Sequence, residues 1–386
     1  MSDTKDIIPF SRAYSTNLEE EYICTALKSG KTSGNGPYLA RAESLLNEIH
    51  KSSKVMLTTS GTHALEMCAL LTEFGENDEF ILPSFTFSST ANAFLLFGGK
   101  PVFVDIRKDT LCIDEQLIEE TITERTKAIV AVHYAGVACE MSTINDIAKR
   151  HGLFVIEDNA HGLFASYNGQ TLGTIGDLSA LSFHDTKNIT CGEGGALILN
   201  NETYYHRAEI LREKGTNRNS FLRGEIDKYS WVDIGSSYIP SEINAAYLLA
   251  QLERRFEIQS RRHAIWSAYH VHLTDWARSN DIRLPIVPPQ CDHPAHMYYM
   301  IMPSQQAREA FMAFMKERRI QTAFHYQSLA SSKKGRAINP SNKQCAVSDQ
   351  MSDCLVRLPL HLHVSDDDLS YIIDCILQFS TRNVCA

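Results

Sequence analysis

The sequence predicts an α/β protein, with a large, mainly parallel sheet covered by helices on both faces and a smaller α+β C-terminal domain. Two observations carry this reading. From Val55 onward, short apolar runs alternate with amphipathic segments, the rhythm of strands joined by crossover helices. Beyond about Gly235 the texture changes to a long helical stretch that is broken by Pro285, Pro288 and Pro289.

Taken in order, residues 17–29 and 38–50 have helical spacing of apolar residues, joined by a turn through Gly34 and Gly36. Strands are predicted at 55–59, 79–83, 101–106, 128–133 and 153–158, with two further runs at 177–183 and 195–200. Helices are expected between them, at IDEQLIEETIT (113–123) and STINDIAKRHG (142–152), and after them at 201–215. The C-terminal part reads as a long helix over 241–279 and a βαβ-like tail from Met297 to Phe324. A polar loop over 327–350 and a last helix at 366–379 follow. We divide the chain into a large domain, 1–250, and a small one, 251–386.

With 386 residues, 44% hydrophobic and 22% charged, the composition is that of a soluble globular protein with a full core. A net charge of -9 argues against nucleic acid as a partner, while leaving room for a local basic pocket. The ten cysteines are scattered without a CxxC pair, as in reduced cytoplasmic proteins. The acidic, polar N-terminus lacks the apolar core of a signal peptide, and no apolar stretch is long enough to cross a bilayer. The expectation is a cytoplasmic protein bound to neither membrane nor nucleic acid.

Chemistry in such sheets is sought at the carboxyl ends of the strands. At TTSGTHALEM (58–67) a strand runs into a helix through Ser60, Gly61 and Thr62, a turn able to cradle a phosphate and equally an ordinary helix cap. At LFVIEDNAHG (153–162) Asp158 ends a strand, where a carboxylate can hold a heterocyclic nitrogen protonated or simply cap a helix. One histidine, His161, with two acids is a poor metal site, so no metal is expected. At ALSFHDTKNITCGEGGALIL (180–199) Lys187 follows Ser182 by five residues and precedes Gly192, Gly194 and Gly195. It is either a surface lysine or the covalent anchor of an aldehyde cofactor. Cys191 beside it reads as a small packing residue. Of Phe85 and Phe87, one could stack on a flat ring.

In this order the motifs resemble the DegT/DnrJ/StrS sugar aminotransferases, of the fold type I class of pyridoxal 5'-phosphate enzymes. The similarity runs from IIPFSRAY to RLPLHLHVSDDDL. VHYAGVACEM, SFHDTKN, EGGA, REKGTNR and DKYSWVDIGSSY look like the subgroup that aminates C4 of dTDP-linked 4-keto-6-deoxyhexoses. The resemblance implies that Lys187 holds the cofactor and moves the proton, and that Asp158 pairs with the ring nitrogen. It places His161 near the 3′ oxygen, Phe87 on the ring face, and Gly61, Thr62 and Ser182 at the phosphate.

It further implies a homodimer with shared sites, in which Ser236 or Ser237 of GSSY replaces an asparagine that reaches the partner's phosphate. L-Glutamate is the implied amino donor and a dTDP-linked keto-sugar the acceptor. Arg212, Lys214 and Arg218 are spaced to supply local positive charge for the diphosphate, and equally to form a solvated helix end. HYQSLA (325–330) departs from the family's HY-x-PLH in the substrate region. A 3-aminotransferase and a regulatory protein on the same fold are the alternatives. A dehydratase of this fold carries His where Lys187 stands.

Overall fold

The computed structural model describes residues 6–51, 54–338 and 344–381. Two helices, α1 (Leu18–Lys28) and α2 (Pro37–His50), precede the sheet. The strands are β1 (Lys54–Thr58), β2 (Glu79–Pro83), β3 (Lys100–Val104), β4 (Thr126–Val132), β5 (Phe154–Asp158), the short pair β6 (Ser166–Tyr167) and β7 (Gln170–Thr171), β8 (Leu178–Ser182) and β9 (Gly195–Leu199). Between them run α3 (Gly61–Leu71), α4 (Ser88–Leu95) and α5 (Met141–His151).

Seven strands form one sheet in the order β1-β9-β8-β5-β4-β2-β3. All are parallel except β9, which runs against both neighbours, pairing Gly195 with Thr58 on one side and with Ser182 on the other. Period-two alternation sends Val55 and Leu57, with Ala196 and Ile198, into a core shared with α2, while Met56, Leu197 and Leu199 pack under α3. Both faces are covered, as a parallel sheet requires. The strand ends β1, β5 and β8 therefore open toward one side of the molecule, and the site lies there.

After α6 (Tyr205–Arg212) and α7 (Arg218–Leu222) comes the predicted 241–279 helix, which is two helices, α8 (Glu242–Glu253) and α9 (Arg255–Ser279), separated at Arg254. Three other expectations are corrected. Residues 113–123 form two 3₁₀ turns (Glu115–Leu117 and Glu119–Thr121) rather than a helix. Asp114 caps the first turn, so the segment is held locally instead of extending. The tail is not βαβ: β10 (Cys291–Asp292) joins β6, and β11 (Tyr298–Ile301) pairs antiparallel with β12 (Leu355–Leu358) beyond α10 (Gln305–Glu317). The polar stretch 327–350 contains α11 (Lys333–Ile338) and the start of α12 (Ala346–Cys354). The last helix, α13 (Asp366–Gln378), is closed by a capping box of Ser365 and Asp368. Ile8, α9, α10, β11, β12 and α13 share one apolar core.

Candidate active site

A cavity of about 860 Å³ lies over the carboxyl ends of β1, β5 and β8 and is roofed by the C-terminal part of the chain. At the start of α3, Ser60 takes an extended conformation and accepts a hydrogen bond from His63 N–H at 3.1 Å, and the first amides of the helix have no intrahelical carbonyl to meet. Close backbone approach shapes this corner. A Cβ on Gly61 would stand 2.9 Å from that of Ser182, and one on Gly195 would meet the Ser60 carbonyl carbon at 2.3 Å. Thr62 and Ser89 hydroxyls bond each other at 2.8 Å, bringing the starts of α3 and α4 together. Phe87, the residue before α4, lines the cavity at 57% exposure, whereas Phe85 is buried against Tyr134.

The adjacent carboxylates at the end of β5 have opposite surroundings. Glu157 is fully buried and accepts from His133 Nε2 at 2.9 Å and from the N–H groups of Gly173, Ile175 and Gly176. Burial opposes its ionisation, but His133 and those amides win and its carboxyl falls below the usual range. Asp158 turns the other way, into the cavity, and accepts from Thr90 Oγ1 at 2.7 Å and Ala160 N–H at 3.3 Å. Burial raises it, against the pull of Thr90 and of Lys187.

Lys187 is half-buried, its surface facing the cavity. Desolvation lowers its ammonium from 10.5 to about 8, with the attraction of Asp158 partly offsetting this. A lysine near neutrality serves as nucleophile and as proton carrier. His161 stacks on His296 at 4.3 Å and 16°, and its Nε2 meets the Tyr326 hydroxyl at 3.3 Å. Burial holds His161, His296 and His325 uncharged, each well below the ordinary imidazole value. Among the described residues the Nδ1 of His161 has no partner.

Of the residues singled out in the sequence, Gly61, Thr62, Phe87, Asp158, His161, Ser182 and Lys187 all line this cavity. Ser236 does not; it is exposed, with its backbone bonded to Leu211 and Lys214. Arg212, Lys214 and Arg218 also stay away from the cavity lining. Arg212 is buried in an ion pair with Glu43, and Lys214 lies 3.5 Å from Glu213. Cys191 is a buried thiol pushed up to about 12, and it packs beside the site. The cations that reach the cavity besides Lys187 are Arg262, Lys334 and Arg357, which motif reading passed over. The signal for Arg357 was a lone cation inside the apolar run LVRLPL.

These residues fit pyridoxal phosphate. A glycine-lined helix start suits its phosphate, an exposed aromatic face its ring, a buried carboxylate its nitrogen, and a partly deprotonated lysine its aldehyde. Fold and site together define an aminotransferase of the α/β class. The chain belongs to the DegT/DnrJ/EryC1/StrS aminotransferase family, whose profile matches residues 14–377, and its cofactor is pyridoxal 5'-phosphate. It is 31% identical to the uncharacterized protein MJ1066 of Methanocaldococcus jannaschii, over 90% of this chain and 91% of that one. The structure is similar to Spr1654 of Streptococcus pneumoniae, assigned as a sugar aminotransferase, in its PMP form. The TM-score is 0.90 at 26% identity, over 98% of this chain and 100% of that one. The aminotransferase TlmJ of Streptoalloteichus hindustanus matches with a TM-score of 0.87 at 25% identity, over 96% of this chain and 98% of that one. Among the described residues no helix is long and apolar enough to cross a membrane.

Proposed function

We propose that this enzyme moves an amino group from L-glutamate to the keto carbon of a nucleotide-linked sugar. The acceptor in this reading is dTDP-4-keto-6-deoxyglucose, and the product a dTDP-4-amino-4,6-dideoxyhexose for a surface polysaccharide or glycoside. The observation that carries it is the pairing of Lys187, lowered to about 8, with Asp158 in a cavity large enough for a nucleotide sugar. When bound, pyridoxal phosphate supplies an electron sink and carries the amine between the two substrates. Asp158 holds the ring nitrogen protonated, oriented by Thr90. Phe87 covers one ring face, and Gly61, Thr62 and Ser182 receive the phosphate. Lys187 anchors the cofactor and then takes the proton from one carbon and delivers it to another. His161, uncharged and held by its stack on His296, offers a hydrogen bond at the ring oxygen without adding charge.

In the same reading the chain is cytoplasmic, divides near residue 250, and works as a homodimer with shared sites. Phe221, Leu222, Tyr229, Trp231, Val232 and Ile234 are all more than a third exposed beside Ser236, an apolar surface that suits a second copy. The substrate reading is tested by incubating the enzyme with L-glutamate and dTDP-4-keto-6-deoxyglucose and assigning the product by NMR. A 4-amino sugar is expected. Preference for the 3-keto isomer would move the chemistry to C3, and preference for a UDP-linked sugar would change the nucleotide.

A further inference from the structure

His296 stands in the cavity wall, 7% exposed, and its surroundings fix which ring nitrogen carries the hydrogen. Its carbonyl accepts from Arg262 Nη2 at 2.6 Å, its ring lies on that of His161, and its Nδ1 meets Asn188 Oδ1 at 2.8 Å. Asn188 follows Lys187 in the chain, and two oxygens settle the orientation of its amide. Its Nδ2 donates to Pro294 O at 2.7 Å and to Gln259 Oε1 at 3.1 Å, while Gln259 Nε2 donates to Pro294 O at 3.1 Å. Turning the Asn188 amide over would set its oxygen against both of those acceptors. Oδ1 therefore faces His296 and can only accept, so the hydrogen sits on Nδ1. Burial keeps the ring uncharged, and Nε2 is left with a bare lone pair. Among the described residues no donor meets that nitrogen, and the residue borders the cavity.

A poorly solvated acceptor without a donor is costly, and a ligand that brings a hydrogen to it removes the cost. We propose that His296 is a specificity-determining residue whose Nε2 accepts a hydrogen bond from the hydroxyl beside the keto carbon of the sugar. This rests on the sugar-acceptor reading given above and deepens it to one contact. The choice follows from which ligand carries a free donor near the reacting carbon. The phosphate and ring oxygen of pyridoxal phosphate accept, and its ring N–H belongs to Asp158. An amino-acid donor brings carboxylates, which a lone pair repels, and its one amine is the group that reacts. A sugar carries a hydroxyl on the carbon next to the ketone, C3 in a 4-keto sugar. The nucleobase N–H lies beyond the diphosphate, away from the reacting carbon. His296 is near that carbon's place, because the charge of Lys187 is felt at its ring.

The test is a cycle between enzyme and substrate. Holoenzyme loaded by L-glutamate is mixed with dTDP-4-keto-6-deoxyglucose or with its 3-deoxy counterpart, and the sugar half-reaction is followed by cofactor absorbance. The unaltered enzyme is expected to disfavour the 3-deoxy sugar about tenfold in kcat/KM, the loss of one hydrogen bond at a poorly solvated acceptor. His296→Asn keeps a donor for Asn188 and has no atom at the Nε2 position, so it should take the two sugars alike. Any loosening of His161 slows both sugars equally, and the ratio between them reports the contact alone. His296→Phe keeps the ring stack without a nitrogen, and it decides the matter if the Asn variant does not fold. Equal use of both sugars by the unaltered enzyme overturns the assignment, as does a tenfold preference that survives in the folded variants. Should only the 3-keto isomer be taken, the regiochemical reading fails, and its 2- and 4-deoxy counterparts put His296 to the same test. Refusal of every keto-sugar overturns the acceptor reading, and this contact with it.

Discussion

The wall of the cavity formed by the sheet and the wall formed by the C-terminal part are built in opposite ways. The sheet wall draws on short local motifs: a strand end, a helix start, a glycine where backbones touch. Its charges include the Asp158 carboxylate and Lys187, set against each other, with Glu193 also on the lining. The roof gathers His296, His325, Tyr326 and Arg357 from segments far apart in the chain, and among the described residues its full charges are cationic. In the reading proposed above, the wall of opposite charges handles protons, and the wall of cations and uncharged imidazoles receives anionic ligands. The difference separates reaction from recognition.

Three variants can break that division. The largest effect is expected from Lys187→Ala, with turnover falling about a thousandfold or more, since both anchoring and proton transfer are lost. Borohydride should fix the cofactor to the Lys187 peptide in the unaltered enzyme and to no peptide in the variant. Because a desolvated ammonium is removed, the melting temperature should hold or rise. Labelling elsewhere with activity retained would dismiss the assignment.

Asp158→Asn comes next, with a loss of about a hundredfold in turnover. It also carries a pH signature. Cofactor capture by the apoenzyme needs the free amine of Lys187, so its rate should rise as pH increases through about 8. Asp158 favours the ammonium, so removing its charge should move that midpoint downward. A midpoint that moves up, or stays, would show that the two groups do not sense each other.

The neighbouring Glu157 sharpens the contrast by doing nothing chemical. Glu157→Gln should leave turnover per folded molecule intact and cost about 2–4 kcal/mol of stability, read by denaturant melts, because one uncharged oxygen is left to accept where two served Gly173, Ile175, Gly176 and His133, and the new NH2 faces two of those donors. Its folded carboxyl is held low, so its stabilisation is present above the ordinary carboxylate range and lost as pH falls through the depressed value. Folded protein with abolished turnover would place Glu157 in the reaction.

How far the sequence could be read follows the same line. Lys187, Ser182, Asp158 and Gly61 were legible because each belongs to a strand-to-helix or strand-to-strand junction with its own local pattern. Which of Phe85 and Phe87 faces the cavity was not, since two residues of the same type at alternate positions need the neighbouring Tyr134 to tell them apart. Arg212 was misread as a ligand charge because nothing local announces its partner, Glu43, which lies on α2 far back in the chain. The antiparallel pairing of β11 with β12 was missed for a like reason, for more than fifty residues separate two short apolar runs.

The reversed strand β9 has a consequence for how the lysine is held. A parallel strand after β8 would have required a crossover of a dozen or more residues, carrying the chain over the sheet and away from the site. Running against its neighbours, β9 lets the chain leave β8 at Ser182, pass Lys187, and return to the adjacent position at Gly195. The lysine thus rides on a hairpin anchored at both ends to hydrogen-bonded strands. Such a segment forms from nearby residues and closes at small entropic cost. Insertions between 183 and 194 should therefore disturb cofactor binding far more than insertions of equal length in the exposed loop after α7.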